Sequence, residues 1–492
     1  MSGSPSADAA RSGGLAVIIL AAGLGTRMKS DVPKVLHEVC GRPLLSYVLD
    51  AAHGLAPDRI VVVTGPEHQA VADLLPVGCE RAIQRRRLGS GDAVRAGMEP
   101  LAGFEGDVVV LVGDAPLIDA EFLGELVAAH RASGAAGTVA TAVLDDPGHY
   151  GRIVRAGAED AGDEPAVDVA PDAVAAIVEA RDCTPEQLLI AEVNTGFYVF
   201  DAGQLRRLLP KLQTANAQGE LYLTDVVHLM GAESLPVAAH VAPDPEVMLA
   251  VNSRVDLAAV NAVVRRRILA RLMLAGVTVI DPGATYVDWG VEVGRDTVLH
   301  PFVHLLGHTQ VGAACEIGPG AYLKDAFVGD RARVVSSYLY ECVVSSSCSV
   351  GPFAYIRPNT VLQEGAKAGT FVEIKNSRIG ENTKVPHLSY IGDAVVGDDT
   401  NIAAGNITAN YDGFEKHPTT IGSNVKTGVD TSFVAPVTVG DGAFTAAGSV
   451  ITKDVPPDAL GVARANQITI PGYGARRRLR QDEAEADEQD GQ

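Results

Sequence analysis

A glycine-rich turn with two basic residues beside it is the first stretch of the sequence that could do chemistry. The apolar run of residues 15–20 reads as a buried parallel strand and ends in Ala-Ala-Gly-Leu-Gly at residues 21–25, and Arg27 and Lys34 follow. Because glycine has no side chain, the backbone N–H groups of such a turn can approach a phosphate closely. The two cations add fixed positive charge, so the stretch predicts a phosphate-binding loop.

Two common nucleotide-binding patterns do not fit this loop. No Gly-Lys-Ser/Thr follows it, as a Walker A sequence requires, and Gly23 and Gly25 lack the third glycine of a dinucleotide fingerprint. The glycines alone could equally form an ordinary turn. Together with Arg27, Pro33 and Lys34, however, the string resembles the signature of sugar-nucleotide pyrophosphorylases, which join a sugar 1-phosphate to a nucleoside triphosphate.

The overall charge limits the partners of the chain. Its 492 residues include 40 Lys and Arg against 61 Asp and Glu, a formal net charge of −21. A field of that sign repels nucleic acid and anionic membranes, so phosphorylated substrates must be held by local basic groups. No run approaches the ~18 apolar residues of a membrane span. We therefore expect neither nucleic-acid binding nor integral membrane association.

Cysteine usage and the first residues favour a cytoplasmic protein. The six cysteines are scattered and include no C-x-x-C pair. This pattern predicts reduced, buried thiols and argues against a disulfide framework or a zinc site. Residues 1–14 are small and polar and lack the hydrophobic core of a signal peptide.

The first half of the chain must position the phosphate-binding loop. The predicted strands include residues 15–20, 60–63, 108–112 and 138–143, and the predicted helices include residues 44–52 and 121–132. This alternation predicts an α/β domain with a mostly parallel sheet and helices on both faces. The resemblance of the loop implies that this domain is a Rossmann-like nucleotidyltransferase domain. Residues 255–275 then show one long helical pattern.

From about residue 280 the aliphatic residues recur every six positions. One register comprises Val293, Leu299, Leu305, Val311, Ile317 and Leu323, and a second comprises Ile421, Thr427, Phe433, Val439, Thr445 and Ile451. A period of six is neither a heptad nor an alternating strand, and it indicates a left-handed parallel β-helix built of hexapeptide repeats. The register breaks between Asn406 and Ile421, so residues 408–418 should form a loop that leaves the β-helix.

These patterns divide the chain into five segments. They are a disordered N-terminus (1–14), a pyrophosphorylase domain (15–250), a helical linker (251–276), a β-helix domain (277–475) and a disordered tail (476–492). The tail is basic and then acidic, a composition typical of disorder.

Two short motifs in the β-helix extend the resemblance. His-Leu-Ser-Tyr at residues 387–390 and Asn-Tyr-Asp-Gly at residues 410–413, downstream of a pyrophosphorylase-like domain, resemble the GlmU family over about residues 15–470. The resemblance implies acetyl transfer from acetyl-CoA to glucosamine 1-phosphate, then uridyl transfer from UTP to N-acetylglucosamine 1-phosphate with release of pyrophosphate. The product, UDP-N-acetylglucosamine, would feed peptidoglycan synthesis. The resemblance also implies Mg²⁺ as cofactor and a homotrimer with acetyl-transfer sites between neighbours.

The resemblance places the uridyltransferase site in the first domain. It implies Leu20, Ala21, Ala22 and Gly23 for uracil and phosphate, Arg27 and Lys34 for the triphosphate, Gln84, Gly89 and Ser90 for uracil, and Gly151, Glu179 and Asn194 for the sugar. Glu220, Tyr222, Thr224 and Asp225 match a further segment near the sugar, although each could equally be structural. Asp114 and Asn252 match ligands of Mg²⁺, a hard ion that suits a carboxylate, an amide and substrate phosphates.

The same resemblance places the acetyltransferase site in the β-helix. It implies Arg357 and Lys375 for the sugar phosphate, His387 as general base, Tyr390 and Asn401 for the substrate, and Ala404, Asn410, Tyr411, Ala447 and Arg464 for acetyl-CoA. Histidine suits the role of base because its free pKa of about 6.5 lies near neutrality. We expect Glu373 to orient the imidazole of His387.

The sequence departs from the family pattern at five positions. Asp92 stands where the family has His, His149 for Gly, Ser253 for Asn, Ala403 for Gly and Val429 for Ser. We expect the first three to alter affinity. Val429 removes a hydroxyl near acetyl-CoA, which costs about 1–3 kcal/mol if a partner is left buried and unpaired.

Two other functions remain open at this point. The chain could be a single-activity sugar-1-phosphate nucleotidyltransferase whose β-helix only trimerises, but such a β-helix has no need of His387 and the polar residues around it. It could also be a non-catalytic sugar-nucleotide sensor, but a sensor needs neither Asp114 nor Asn252 as metal ligands.

Overall fold

The computed structural model describes residues 13–156, 173–214, 216 and 218–490, with side chains described as far as residue 485. It divides into two compact units. The first runs up to Ala270 and includes Val287–Trp289, and the second comprises Arg271–Tyr286 and the residues from Gly290 onward. The predicted disordered N-terminus lies outside the described residues, apart from Gly13 and Gly14, and Gly14 begins the first strand.

A mixed sheet forms the centre of the first unit. Its strands and a small hairpin are β1 (Gly14–Ala21), β2 (Glu38–Val39), β3 (Arg42–Pro43), β4 (Arg59–Thr64), β5 (Cys79–Ile83), β6 (Gly106–Val112), β7 (Gly137–Val143), β8 (Arg152–Arg155), β9 (Val174–Val178), β10 (Glu192–Asp201) and β11 (Val237–Val241). The order in the sheet is β11-β7-β10-β6-β1-β4-β5, with β8 and β9 attached beside β10. β1 runs parallel to β4 and β6, whereas β10 runs antiparallel to both of its neighbours.

Helices cover both faces of this sheet, as predicted. They are α1 (Leu44–Gly54), α2 (Gln69–Asp73), α3 (Ser90–Met98), α4 (Ala120–Ser133), α5 (Ala202–Leu208) and α6 (Asp225–Ala232). The long helix α7 (Arg254–Leu274) follows them in the chain. Short 3-10 turns occur at Thr26–Met28, Lys34–Leu36, Gln187–Leu189, Leu209–Lys211 and Pro245–Met248.

Alternate side chains of β1 point to opposite faces of the sheet, as strand geometry requires. Ile18 packs in one core with residues of α3, α5 and α6, and Ile19 packs in the other with residues of α1 and α4. Because β1 is buried on both faces, its loop is fixed at the centre of the sheet. The strands and helices predicted in this half of the chain are confirmed, and so is the long helix, observed as α7.

Three parallel sheets of very short strands form the second unit. The first contains Thr278–Val279, Val298–Leu299, Glu316–Ile317, Arg333–Val334, Ser349–Val350, Lys367–Thr370 and Lys384–His387. The second contains Tyr286–Val287, His304–Leu306, Tyr322–Lys324, Tyr338–Tyr340, Tyr355–Ile356, Glu373–Lys375, Tyr390–Gly392, Ile407–Ala409, Ser432–Val434 and Val450–Ile451. The third contains Glu292–Val293, Gln310–Val311, Phe327–Val328, Val343–Val344, Val361–Leu362, Arg378–Ile379, Ala394–Val396, Thr419–Ile421 and Val437–Val439, and the pair Phe444–Thr445 and Leu460–Gly461 stands apart.

The six-residue registers point into this β-helix. Leu299, Leu305, Ile317 and Leu323 are completely buried, and each coil stacks its aliphatic residue on that of the next, as Leu299 does on Ile317. All six residues of the second register are buried as well. Val293, at the first coil, is only half-buried. The predicted left-handed parallel β-helix is confirmed.

The loop that leaves the β-helix begins two residues later than predicted. Thr408 belongs to the strand Ile407–Ala409, is 1 % exposed, and its Oγ1 accepts a hydrogen bond from the Gly392 N–H at 2.8 Å. The loop therefore starts at Asn410 and returns through a bridge between Tyr411 and Lys416. The six-residue spacing missed this strand because it lies at the break in the register, between Asn406 and Ile421.

The C-terminal segment is a helix, and the prediction of a disordered tail is wrong over the residues described. Helix α8 spans Tyr473–Asp490 and is exposed where its side chains are described. Its Ala, Arg, Gln and Glu residues are strong helix formers, and Gln481 donates to Glu485 one turn later at 3.2 Å. The charge composition of this segment favours disorder, and a prediction from it alone does not take helix propensity into account. Across the part of the chain that the structure describes, no helix is both long and apolar enough to cross a membrane.

Candidate active sites

The glycine-rich turn lies where β1 leaves the sheet. Gly25 has a φ of 61°, and a Cβ atom there would lie 2.7 Å from the Cβ of Lys34. Glycine at this position therefore serves two needs, because it tolerates the left-handed backbone and lets Lys34 pack against the turn.

Two oxygen atoms converge on the Lys34 ammonium. Lys34 forms an ion pair with the carboxylate of Asp114 and donates to Asn252 Oδ1 at 3.1 Å. Arg27 donates to the same amide oxygen at 2.9 Å. Asp114 follows β6, the parallel neighbour of β1, and its carbonyl accepts from the Val251 N–H at 2.9 Å, which brings Asn252 alongside.

This arrangement fits the donor set expected for Mg²⁺. Asp114 and Asn252, which are distant in sequence, place a carboxylate and an amide oxygen on one cation, the Lys34 ammonium. No cluster of three His, Cys, Asp or Glu side chains suited to a metal occurs among the described residues. Any further ligands would therefore come from substrate phosphates and water, which is usual for Mg²⁺.

The backbone of Asn252 is fixed by the first turn of α7. Asp256 accepts from the N–H groups of Asn252 at 3.0 Å and of Ser253 at 2.8 Å. Ser253 Oγ accepts in return from the Asp256 N–H at 3.3 Å. This reciprocal pattern is a capping box, with aspartate in place of the more usual glutamate. Ser253, a departure from the family pattern, thus retains the ability to cap the helix.

A cavity of about 490 Å³ opens beside the turn. Its lining comprises Leu20, Ala21, Ala22, Gly23, Leu24, Lys34, Val35, Gln84, Arg87, Gly89, Ser90, Ala93, Val112, Asp114 and Glu220. The structure thereby brings together the predicted uracil, phosphate and metal residues. Asn252 is linked to them through Lys34, and Arg27 through Asn252.

The predicted uracil segment is held by the chain around residue 221. Gly89 has a φ of 113°, and a Cβ there would lie 2.5 Å from the Leu221 carbonyl oxygen. Gly91 N–H donates to the same oxygen at 2.8 Å, and Ser90 Oγ accepts from the Leu223 N–H at 3.0 Å. The segment that begins at Glu220 thus positions the uracil loop.

Apart from Glu220, which lines the cavity, the residues predicted to lie near the sugar form a second cluster outside the cavity lining. Asn194 N–H donates to the Gly151 carbonyl at 2.9 Å, and Asn194 Nδ2 donates to the Tyr198 hydroxyl at 2.7 Å. Thr224 donates to the carboxylate of Glu179 at 3.4 Å. Burial raises the pKa of Glu179, and the nearby acidic residues add to the effect.

Arg87 is a cavity residue that the sequence analysis missed. Its Nε donates to the Ala22 carbonyl at 2.9 Å, and its guanidinium forms an ion pair with Glu67. The available signal was the run of three arginines, residues 85–87, between two segments already assigned to uracil.

The second unit gathers a polar cluster along neighbouring coils. Arg357 Nη1 donates to Glu373 Oε1 at 2.7 Å. The expectation that Glu373 orients His387 is not met, because its carboxylate is occupied by Arg357. The imidazole of His387 is exposed and makes no hydrogen bond within the described residues. The reason lies in strand register, since Glu373 pairs with Tyr390 whereas His387 pairs with Thr370 on another face.

Tyr390 and Asn410 meet beside two lysines. Asn410 Nδ2 contacts the Tyr390 hydroxyl at 3.5 Å and donates to Asp393. Lys416, on the extruded loop, lies close enough to Lys375 that the second ammonium lowers the pKa of Lys416. Lys416 was not among the predicted residues, and its place in the loop that breaks the hexapeptide register was the signal that could have found it.

The remaining predicted residues lie further along the β-helix. Arg464 donates to the Ala447 carbonyl at 2.9 Å, so two predicted acetyl-CoA residues are in contact. The structure does not join them to Tyr390 or Lys375 by any described contact. The backbone of Asn401 forms an isolated β-bridge with that of Lys384. The Ala404 carbonyl accepts a hydrogen bond from the Asp430 N–H, and the Tyr411 hydroxyl donates one to the Gly413 carbonyl.

Within this chain, the valine at position 429 does not leave a buried polar group without a hydrogen-bond partner. Its side chain is 47 % exposed, and its carbonyl accepts from the Gly448 N–H at 2.8 Å. The predicted penalty required a buried group, so it does not arise in the single chain.

Comparison with known proteins covers both units. Residues 17–223 match the MobA-like NTP transferase domain. A Mycobacterium bovis protein named "Bifunctional protein GlmU" is 48 % identical over 95 % of this chain and 93 % of its own length. Proteins of the same name from Mycobacterium marinum (48 %, over 96 % of this chain and 95 % of its own) and Streptomyces avermitilis (49 %, over 94 % of each) are similar. With both units matched at this level, the chain belongs to the GlmU family.

Proposed function

We propose that the chain is a bifunctional enzyme that makes UDP-N-acetylglucosamine. The second unit acetylates glucosamine 1-phosphate with acetyl-CoA, and the first unit joins the product to UTP and releases pyrophosphate. Relatives named bifunctional match 93–95 % of their own length, which favours this function over a single-activity nucleotidyltransferase.

The observation that carries the first activity is the convergence of Lys34, Asp114 and Asn252 at the cavity. A phosphate oxygen of the sugar attacks the α-phosphorus of UTP. The bond between this phosphorus and the oxygen that bridges it to the β-phosphate breaks, and pyrophosphate leaves. Arg27 and Lys34 bind the triphosphate and offset its charge, which such a transfer needs more than covalent help. Asp114 and Asn252 would hold Mg²⁺. When bound, this ion neutralises charge on the phosphates.

The observation that carries the second activity is the pair of lysines at 375 and 416. The positive charge of Lys375 lowers the pKa of Lys416, because two like charges near one another repel. A phosphate between them would relieve that repulsion. Arg357 directly follows the strand Tyr355–Ile356, which pairs with the strand of Lys375.

In this second reaction His387 takes a proton from the attacking amine. The C2 amine of glucosamine 1-phosphate adds to the thioester carbonyl, and the C–S bond then breaks to release CoA. Asn410 and Tyr411, at the base of the extruded loop, are proposed to contact acetyl-CoA. The exposed imidazole of His387 is accessible to substrate.

We further propose that the protein is a cytoplasmic homotrimer assembled through the β-helix. Phe353, Phe371 and Leu388 are exposed to 58 %, 59 % and 62 % and provide apolar surface for a second copy. The six cysteines are free thiols, in keeping with a reducing compartment.

One experiment tests both activities. The protein is incubated with glucosamine 1-phosphate, acetyl-CoA, UTP and Mg²⁺, and free CoA and pyrophosphate are assayed separately. We expect CoA release without UTP, and pyrophosphate release from UTP and N-acetylglucosamine 1-phosphate without acetyl-CoA. Pyrophosphate release with no CoA release would support the single-activity alternative.

A further inference from the structure

Asp92 is a buried acidic residue at the edge of the first site. It lies in the first turn of α3, next to the uracil segment, and is only 7 % exposed. One of its oxygens, Oδ1, pairs with the guanidinium of Arg95 on the next turn of the helix. The other oxygen points to Gln84.

The side-chain amide of Gln84 is tied at its nitrogen. Nε2 donates to the Gly89 carbonyl at 3.1 Å and to Asp92 Oδ2 at 3.0 Å. A carbonyl and a carboxylate can only accept, so both amide hydrogens are used. A flipped amide would set its oxygen against two other oxygens. The neighbours therefore assign the amide orientation without ambiguity.

The remaining amide atom, Oε1, is an unused acceptor. Gln84 lines the cavity, and its Oε1 accepts no hydrogen bond from the part of the chain that the structure describes. At this point of the cavity, Gln84 can accept a hydrogen bond through Oε1, but its Nε2 is not available to donate one.

We propose that Asp92 is a positioning residue that fixes the Gln84 amide and thereby sets the choice of nucleotide base. An acceptor pairs with a ring N–H, which uracil presents at N3. Cytosine presents a lone pair at N3, which the amide oxygen would repel. This inference rests on the proposed uridyl transfer and adds the group that makes it selective for UTP over CTP.

A purely structural role for Asp92 makes a different prediction. If its carboxylate only stabilised α3, its removal would lower turnover of both nucleotides by the same factor. If it fixes the amide, its removal leaves only the Gly89 carbonyl to hold Nε2. Gln84 can then turn its Nε2 toward the cavity part of the time, and CTP gains relative to UTP.

The test compares kcat/KM for pyrophosphate release with UTP and with CTP. In Asp92→Ala we expect the UTP:CTP ratio to fall about 10-fold, the size of one hydrogen bond exchanged for another. Asp92→Asn can present either an oxygen or an NH₂ group to Gln84, so its ratio should lie between those of wild type and Asp92→Ala. It also keeps the shape of the side chain if the alanine variant is unstable.

Arg95→Met is the matched control. It removes the ion pair but leaves the carboxylate that holds Gln84, so the UTP:CTP ratio should stay near the wild-type value. Equal losses with both nucleotides in Asp92→Ala and Asp92→Asn, or an equal fall of the ratio in Arg95→Met, would overturn the inference. A wild-type protein that releases no pyrophosphate from UTP would instead contradict the proposed function itself.

Discussion

Asp114 supplies the carboxylate of the proposed Mg²⁺ pair. Because an amide oxygen alone binds a divalent ion weakly, Asp114→Ala should abolish pyrophosphate release at ordinary Mg²⁺ concentrations. Release of CoA should be unchanged, since the second unit uses no metal in our proposal. Separate assays of pyrophosphate and CoA check both expectations.

Asp145→Ala is the control for this variant. Asp145 is an exposed carboxylate of the first unit that does not line the cavity, so its loss should leave both rates unaltered. A parallel fall of both activities in a folded Asp114→Ala protein would show that the two reactions do not occupy separate sites.

A single-residue change at His387 tests the acetyl-transfer reaction. Removal of a general base typically costs ~10²–10⁴ in rate, so His387→Ala should lower kcat for acetyl transfer by about that factor. Uridyl transfer should not change. Single-turnover CoA release as a function of pH provides the measurement.

His308→Ala serves as the comparison, because His308 is also an exposed histidine of the β-helix but lies outside the proposed site. It should keep the wild-type rate. An unchanged rate and pH profile in His387→Ala would remove this residue from the mechanism.

At the scale of elements, the first turn of α7 connects helix capping to Asn252, a proposed Mg²⁺ ligand. Asp256→Ala removes the acceptor of two N–H groups, one of them on Asn252. Loss of a cap costs ~0.5–2 kcal/mol of stability. We also expect the Mg²⁺ concentration for half-maximal pyrophosphate release to rise, because Asn252 loses its fixed position.

Asp119→Ala separates the two effects. Asp119 caps α4 by accepting from the Phe122 N–H at 2.9 Å, away from Asn252. Its loss should lower the Tm to a similar extent without changing the Mg²⁺ requirement. If both variants shifted the requirement equally, the capping box would have no special link to the site.

Much of this architecture could be predicted from the sequence, because local patterns determine it. The apolar run before Gly23 and the six-residue spacing through Leu299 and Ile317 each specify an element by repetition of residue type. Where a local pattern was ambiguous the prediction failed. This happened at Thr408, which lies at the break in the six-residue register, and in helix α8, where charge composition outweighed helix propensity.

Contacts within the sites could not be predicted from such patterns. Lys34, Asp114 and Asn252 are separated by long stretches of chain and meet only through the order of β1 and β6 in the sheet. Likewise, Glu373 and His387 are close in sequence but face different sides of the β-helix. The resemblance to a known family identified the site residues. The contacts that these residues make with one another could be determined only from the folded structure.

At the scale of the whole molecule, the proposed trimer makes a test by mixing possible. If each acetyl-transfer site takes residues from two copies, His387→Ala and Asn410→Ala chains should restore part of the CoA release after subunit exchange. Neither variant on its own should show this CoA release. Light scattering reports the assembly state, and a fully active monomer would contradict the shared site.

Lys34 also has a consequence for handling the protein. In metal-dependent domains such as zinc fingers, chelators remove folding free energy together with the ion. Here the ammonium of Lys34 already serves as an internal counter-ion for Asp114 and donates a hydrogen bond to Asn252. EDTA should therefore stop pyrophosphate release yet leave the Tm of the substrate-free protein unchanged, and added Mg²⁺ should restore activity in full. A Tm that falls on chelation would mean that the metal is part of the fold.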